Sequence, residues 1–262
     1  MFKKYWHIFK NSFQAGLVYR FNVFTSFFTA ALSLVIFIYL WFSIYNQGGR
    51  LGDYNLRELI IYYIVSSFIA LIIKAKDIGW VIGDEIRLGG ISSYLVRPIS
   101  FLYKSFFDNL GQAALMAAIF GVAVFAPLLF LQNFFSLFTG VLFAASVFLA
   151  VCLNFLIFYL VGISTFYFGF VMGFNFIMIN IASFLSGGFI PLDLLPKWLF
   201  IISAWLPFKY LIFYPISIAM GKVNGYEALS GLGAGVLWMM ILFLAAKILF
   251  KRGLKKYEGF GL

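Results

Sequence analysis

The sequence predicts an all-α integral membrane protein, a single transmembrane domain over residues 1–262 with six transmembrane helices. Hydrophobic residues make up 64% of the chain, charged residues 11%, and the mean hydropathy is +1.01. A soluble domain carries about 25% charged residues. From Asn109 to Leu192 no Asp, Glu, Lys or Arg occurs in 84 residues, which is room for several membrane crossings. Apolar runs such as 30–40 do not alternate with polar residues, so the crossings are helices rather than strands.

Six apolar runs predict the transmembrane helices, because about 20 apolar residues cross a bilayer as a helix. Inside the uncharged block, Pro127 predicts one break between helices and Gly162 predicts another. The second run has only 15 uncharged residues, so it is either short or extended by snorkelling of Lys74 and Lys76. The predicted spans are 21–45, 59–73, 109–130, 134–160, 163–186 and 228–246.

The segment before the first span predicts an amphipathic helix on the inner membrane surface, residues 1–20. Apolar side chains recur there every three or four residues, with basic residues between them. The alternative is that these basic residues only flank the first span. The apolar positions are Phe2, Trp6, Phe9, Phe13 and Leu17.

Basic residues predict that both termini are cytoplasmic, since Lys and Arg accumulate on the cytoplasmic side of a membrane protein. Four lie before the first span, five in the 74–108 loop and five after the last span, against five in total on the opposite side. The net charge of +10 therefore follows the topology and does not indicate nucleic-acid binding.

Residues 187–227, on the outer side, predict short re-entrant helices rather than another span. Their uncharged stretches 198–208 and 210–221 hold only 11 and 12 residues and are separated by Lys209. Apolar pieces of that length are typical of re-entrant or interfacial segments.

The cytoplasmic loop 74–108 predicts a compact, apolar-cored element. Ile78, Ile82 and Ile86 recur at helical spacing, and Gly89-Gly90 is typical of a helix end. Such an element could fit a groove on a partner protein. The alternative is that it only covers the inner ends of the second and third spans.

The sequence predicts no catalytic residue, no metal site and no cofactor. One histidine and one cysteine cannot form a transition-metal cluster, and the Gly221-Lys222 pair lacks the other residues of a nucleotide-binding loop. The three central spans contain no Asp, Glu, Lys, Arg or His that could couple transport to protons or ions. If the chain is a transporter, its energy is therefore expected from outside these spans.

Besides a transporter, the residues alone leave two other functional classes open. A membrane-embedded enzyme would need clustered acids, for which Asp77, Asp84 and Glu85 are the candidates. A structural or immunity-type membrane subunit would have the same composition as a transporter.

Two motifs carry a resemblance to a known family. One is the run from Gly89 to Ile99. The other begins at Ser186-Gly187-Gly188 and continues through Leu195-Pro196 to Leu206-Pro207-Phe208. With the six spans and the loop between the second and third, they resemble ABC transporter permeases of the type 2 exporter class, in the subfamily that often uses two different permeases.

The resemblance implies a plasma-membrane permease that moves an apolar or amphipathic substrate outward. It implies a homodimer or a heterodimer with a second permease, docked on ABC ATPase subunits that bind the ATP. The residues implied to couple the permease to the ATPase are Ile91, Ser92, Ser93, Tyr94, Leu95, Val96 and Arg97. The residues implied to form an extracellular gate are Gly187, Gly188, Pro191, Pro196 and Pro207.

Overall fold

A computed structural model describes residues 2–18, 20–48, 52, 54–74, 77–95, 99–129 and 137–257, and only the backbone at 2, 20, 95 and 122–129. These residues form α-helices and two 3₁₀ turns, Leu192–Leu194 and Pro207–Tyr210. The helices are α1 (Phe2–Val18), α2 (Arg20–Asn46), α3 (Leu56–Ile73), α4 (Ile78–Arg87), α5 (Ser92–Leu95), α6 (Phe101–Leu129), α7 (Leu137–Ile163), α8 (Thr165–Phe168), α9 (Met172–Leu185), α10 (Lys197–Trp205), α11 (Phe213–Ala219) and α12 (Gly225–Leu254).

The all-helical prediction is confirmed over the described residues, which include four helical stretches long and apolar enough to cross a membrane. The second of these stretches covers α3 and α4 together, and Met172–Leu185 is a shorter apolar helix. The four stretches are Phe21–Asn46, Leu56–Arg87, Leu137–Phe168 and Gly225–Leu254. Helix α6 covers residues 109–129 of the third predicted span, 109–130, and residue 130 lies outside the described residues.

Capping boxes fix where two of the long helices begin. The Asn55 side chain accepts a hydrogen bond from the backbone N–H of Glu58, and the Glu58 carboxylate accepts one from the backbone N–H of Asn55. Asn224 and Glu227 repeat the arrangement before α12. Each box satisfies two backbone donors that have no partner within the helix. Both helices therefore begin three residues before the apolar runs 59–73 and 228–246.

The fifth predicted span, 163–186, is divided in the structure. Helix α7 ends at Ile163, α8 is a single turn, and Gly169 then adopts φ +72 before α9 begins. That left-handed conformation is accessible mainly to glycine and interrupts the helix. Helix α9 keeps 14 residues, about 21 Å at 1.5 Å per residue.

Helix α1 packs along the first half of α6, a contact that the sequence did not predict. The Ser12 hydroxyl donates to the Asp108 carbonyl at 2.6 Å, and the Tyr5 ring stacks on Phe107 at 5.6 Å. A side chain at Gly111 would meet the Phe9 carbonyl, so the two backbones are close. Of the predicted apolar stripe, Trp6 and Leu17 are exposed, whereas Phe9 and Phe13 are half-buried.

Helix α7 is the centre of the bundle. Most of its side chains from Leu149 onward are buried, and it contacts α3, α4, α11 and α12. Deep inside, the Asn154 amide donates to the Ile73 carbonyl at 2.6 Å, which satisfies the end of α3. The 74–108 loop and the 187–227 segment thus meet the same central helix.

Candidate coupling surface and outer gate

The first half of the 74–108 loop forms helix α4, as its isoleucine spacing predicts. Asp77 caps the helix by accepting a hydrogen bond from the Trp80 N–H at 3.2 Å. Ile78, Ile82 and Ile86 are 3%, 1% and 3% exposed and form one buried face. This face packs within the chain itself, so α4 is attached to the bundle and does not project freely.

Glycines bring α4 into direct backbone contact with α7. A Cβ atom at Gly162 would lie 2.7 Å from the Ile82 Cβ and 3.1 Å from the Gly79 carbonyl oxygen. A Cβ at Gly83 would lie 2.7 Å from a methyl group of Val171 and 3.0 Å from the Thr165 hydroxyl. The spacing of Gly79 and Gly83 is the small-residue pattern that lets helices approach closely in membranes. That spacing could have indicated this contact from the sequence.

The three acidic side chains considered for an enzyme site are all held in structural contacts. Asp77 accepts a hydrogen bond from the Asn175 amide at 3.1 Å, in addition to capping α4. Asp84 pairs with Arg87 at 2.8 Å, and Glu85 pairs with Lys104 at 3.7 Å. The three carboxylates therefore link α4 to α9 and α6 or pair along α4.

The implied coupling residues fall on the turn after α4 and on α5. Ile91 is fully buried, Ser92 and Ser93 are exposed, and Tyr94 is half-buried against Phe101, with ring centroids 5.4 Å apart. The side chain of Leu95, together with Val96 and Arg97, lies outside the described residues.

Among the side chains described between residues 77 and 94, Leu88 is the one large apolar side chain that is exposed, and the sequence analysis did not single it out. It is 69% exposed at the end of α4. We call the exposed residues Arg87, Leu88, Ser92 and Ser93 the loop tip. Its base is held by Ile91 and by Lys104, whose ammonium lies 4.9 Å from the centre of the Tyr94 ring.

The first two implied gate residues form a tight turn after α9. Gly187 has φ +84, and its carbonyl accepts a hydrogen bond from the Tyr62 hydroxyl at 2.7 Å. The Gly188 N–H bonds the Ser183 carbonyl at 3.0 Å. The Tyr63 hydroxyl donates to the Phe189 carbonyl at 2.8 Å, so two tyrosines of α3 hold this turn.

The three implied gate prolines precede or begin short helices of the outer segment. Pro191 precedes the 3₁₀ turn at 192–194, Pro196 precedes α10, and Pro207 is the first residue of the second 3₁₀ turn. A proline is favoured at such positions because it has no N–H to leave unpaired. Only Pro191 and Pro207 are buried.

A polar cluster fastens the outer segment to the loop between α2 and α3. Asp193 accepts a hydrogen bond from the Tyr54 hydroxyl at 2.7 Å and pairs with Lys222 at 3.3 Å. The Tyr45 hydroxyl donates to the Tyr54 carbonyl. Burial and the hydrogen bond to Asp193 raise the pKa of the Tyr54 phenol well above its ordinary value of 10.0.

Comparison with known protein families identifies the family of this chain. The family model described as ABC-2 family transporter protein matches residues 30–261. The chain belongs to the ABC-2 transporter family. No curated protein matches the chain. The ABC-2 family is a membrane transport component that normally works with an ABC ATPase and is not itself that ATPase. The chain is therefore a multi-pass membrane protein of a transport system.

Proposed function

We propose that this chain is the permease subunit of an ATP-driven ABC exporter. In this proposal it moves an apolar or amphipathic substrate outward across the plasma membrane, and separate ATPase subunits supply the energy. Membership of the ABC-2 family supports the permease role. Export as the direction, and the identity of the ATPase, are parts of the proposal.

The observation that carries this proposal is the attachment of the loop tip. Arg87, Leu88, Ser92 and Ser93 are exposed, whereas one face of α4 is buried and meets α7 closely through Gly79, Gly83 and Gly162. An ATPase that pushes on the tip would move α7 with it, because backbones in contact leave no flexible side chains between them. In this proposal the ATPase contacts the loop tip, and the movement of α7 carries that displacement into the helix bundle.

The topology of the proposal is six spans with both termini in the cytoplasm. Helices α2, α3, α6, α7, α9 and α12 would be the spans, and the outer segment 187–227 would be re-entrant. Trp198 and Trp205 of α10 are 63% and 78% exposed, which suits a short helix at the lipid–water boundary. Two permeases, identical or different, would form the complete pathway.

Residues Gly187 to Pro207 would close the outer end of that pathway. Tyr62 and Tyr63 hold the turn shut through its carbonyl groups. Because these bonds join α9 and the outer segment to α3, a movement of α3 away from α9 would break them. Release of substrate is then coupled to separation of these two helices.

The experiment that tests coupling replaces Leu88 by alanine and purifies the full tagged chain from its native membranes. Burying a leucine in an interface contributes about 1.5–3 kcal/mol, so ATPase recovery should fall about tenfold or more. Leu229→Ala is the matched control, since Leu229 is 53% exposed at the outer start of α12. Equal recovery of ATP hydrolysis from both variants and from the unchanged chain would refute the loop tip as the docking surface.

A further inference from the structure

A cavity of about 480 Å³ lies between α2, α3 and α9. That volume is in the range of small-molecule binding sites. Its wall is rich in hydroxyl groups, although the helices that form it are among the most apolar of the chain. The hydroxyl residues on α2 and α3 are Thr25, Ser26, Thr29, Ser33, Ser66 and Ser67.

Lys74 contributes the one charged group among the residues that line this cavity. It follows the last residue of α3, and its ammonium donates a hydrogen bond to the Ser183 hydroxyl of α9 at 2.9 Å. The lysine therefore reaches across to α9 along the cavity wall. The exposed part of its side chain faces the cavity and a smaller neighbouring one.

Lys74 has no counter-charge within the part of the chain that the structure describes. Asp77 lines the smaller neighbouring cavity, but its carboxylate already accepts hydrogen bonds from Asn175 and Trp80. An ammonium group near a membrane interior is unfavourable unless an anion or other hydrogen-bonding groups compensate it. Two of its three N–H donors remain for a ligand beyond the bond to Ser183.

The rest of the wall decides what else the ligand carries. Phe37, Leu71 and Met116 supply apolar surface, which suits a hydrocarbon tail. The Thr25 and Thr29 hydroxyls donate to carbonyls of their own helix, so they offer a ligand only their lone pairs. A ligand with an anionic group, some hydroxyls and an apolar part satisfies all three surfaces.

The position of the cavity relates it to the gate. Gly188 and Phe189 line its outer end, in the same turn that Tyr62 and Tyr63 hold. A molecule in the cavity would lie directly beneath the proposed outer closure. This is the place for a substrate about to be released.

We propose that this cavity binds an amphipathic substrate by its anionic group, a phosphate or a carboxylate, with Lys74 as the charge partner. The proposal rests on the proposed permease function and narrows its substrate class. Binding to Lys74 holds the anion at the inner part of the cavity while the hydroxyl groups of α2 and α3 bind its polar neighbours.

The test uses the full chain in nanodiscs of zwitterionic lipid, titrated calorimetrically with dodecyl phosphate, dodecanoate and the neutral monododecanoyl glycerol. Partition into the lipid is the same for every variant, so the difference between variants reports the site. Lys74→Gln keeps a hydrogen-bond donor for Ser183 but removes the charge. Lys74→Arg keeps the charge, and Lys251→Gln removes a lysine from the last turn of α12, away from the cavity.

We expect Lys74→Gln to weaken binding of an anionic probe about tenfold or more, because charge-assisted hydrogen bonds are the strong ones. Lys74→Arg and Lys251→Gln should bind like the unchanged chain, and the neutral probe should bind all variants equally. The stronger of the phosphate and carboxylate probes identifies the anion. Equal binding of anionic and neutral probes, or no effect of Lys74→Gln, overturns the proposal. Recovery of ATPase activity with the unchanged chain is measured separately. Its absence would contradict the proposed permease function, whereas unaltered binding in Lys74→Gln would contradict only the ligand proposal.

Discussion

Replacing Gly162 by alanine would place a methyl group between α4 and α7. The new Cβ atom would lie 2.7 Å from the Ile82 Cβ and 2.8 Å from its Cγ2. Carbon atoms in contact prefer about 3.5–4.0 Å, so α4 has to retreat by roughly 1 Å. None of these atoms is the end of a flexible side chain, and the Gly79 carbonyl oxygen blocks a sideways escape at 3.1 Å.

The expected energy follows from two opposing effects. Overpacking of this kind costs about 1–3 kcal/mol. Alanine is more favourable than glycine in a helix interior by up to about 1 kcal/mol. Gly233→Ala is the matched control, because Gly233 lies inside α12 and a Cβ atom there would have nothing within 4 Å. The control keeps the helix-propensity gain and lacks the clash, so the two variants are expected to change stability in opposite directions.

Hydrogen exchange measured by mass spectrometry on the purified full chain reads the local effect, and thermal unfolding reads the global one. In Gly162→Ala, backbone amides of Ile78–Arg87 should exchange faster than in the unchanged chain, and the unfolding temperature should fall. If Gly162→Ala and Gly233→Ala gave the same exchange and the same unfolding temperature, the description of α4 as docked on α7 would be refuted.

Further outcomes concern the outer side. Gly187→Ala should lower the unfolding temperature more than Gly48→Ala does. Both glycines have φ near +80, but a Cβ atom at Gly187 would meet the Tyr62 hydroxyl at 2.7 Å, whereas one at Gly48 would meet nothing within 4 Å. Tyr62→Phe leaves the Gly187 carbonyl without its hydrogen-bond donor and should lower the free energy of unfolding by about 1–3 kcal/mol. Backbone amides in the turn at Gly187 should also exchange hydrogen faster; unchanged exchange would argue against a stabilising role for this hydrogen bond. The pKa of the Tyr54 phenol is higher in the folded chain than in the unfolded chain, so above pH 10 ionisation of the unfolded phenol lowers the stability of the folded state. The unfolding temperature should therefore fall less between pH 9 and 11 in Tyr54→Phe than in the unchanged chain.

Local patterns predicted the helices well, because each helix is specified by residues close to it in the chain. The isoleucine spacing at 78–86 predicted α4 and its buried face. Apolar runs predicted the first residues of α2, α7 and α12 to within a few positions. The last residues of these helices lie beyond the ends of the predicted runs. Composition indicated a membrane protein, and the lack of alternation in the apolar runs indicated helices.

Contacts between distant helices were predicted less well. Glycines at 79, 83 and 162 have no side chain to appear in a hydrophobic pattern, so the docking of α4 on α7 had no apolar signature. Helix α1 contacts α6 through Tyr5 and Ser12, which lie off its most apolar stripe. The hydrogen bond of Lys74 to Ser183 was also not predicted, because a lysine at the end of a span ordinarily turns toward the aqueous side.

For the candidate site, the roles that the family resemblance implies for residues 91–97 and for Gly187 to Pro207 stay predictions, and the structure adds which of their described residues are exposed. Ile91 is an anchor inside the fold, whereas the exposed Leu88 precedes the run that the family resemblance implied. Exposure depends on which face α7 covers, and that face is set by residues about 80 positions away in the chain.

The contact between α1 and α6 has a consequence for the order of events during synthesis. Ser12 finds its partner Asp108 only 96 residues later. At about 5–20 residues per second, roughly 5–20 s pass between the two. During that interval α1 would lack its protein neighbour, and the membrane surface predicted for it would be the place for its exposed Trp6 and Leu17. On that prediction the two faces of α1 would be used in succession, first for lipid and afterwards for α6.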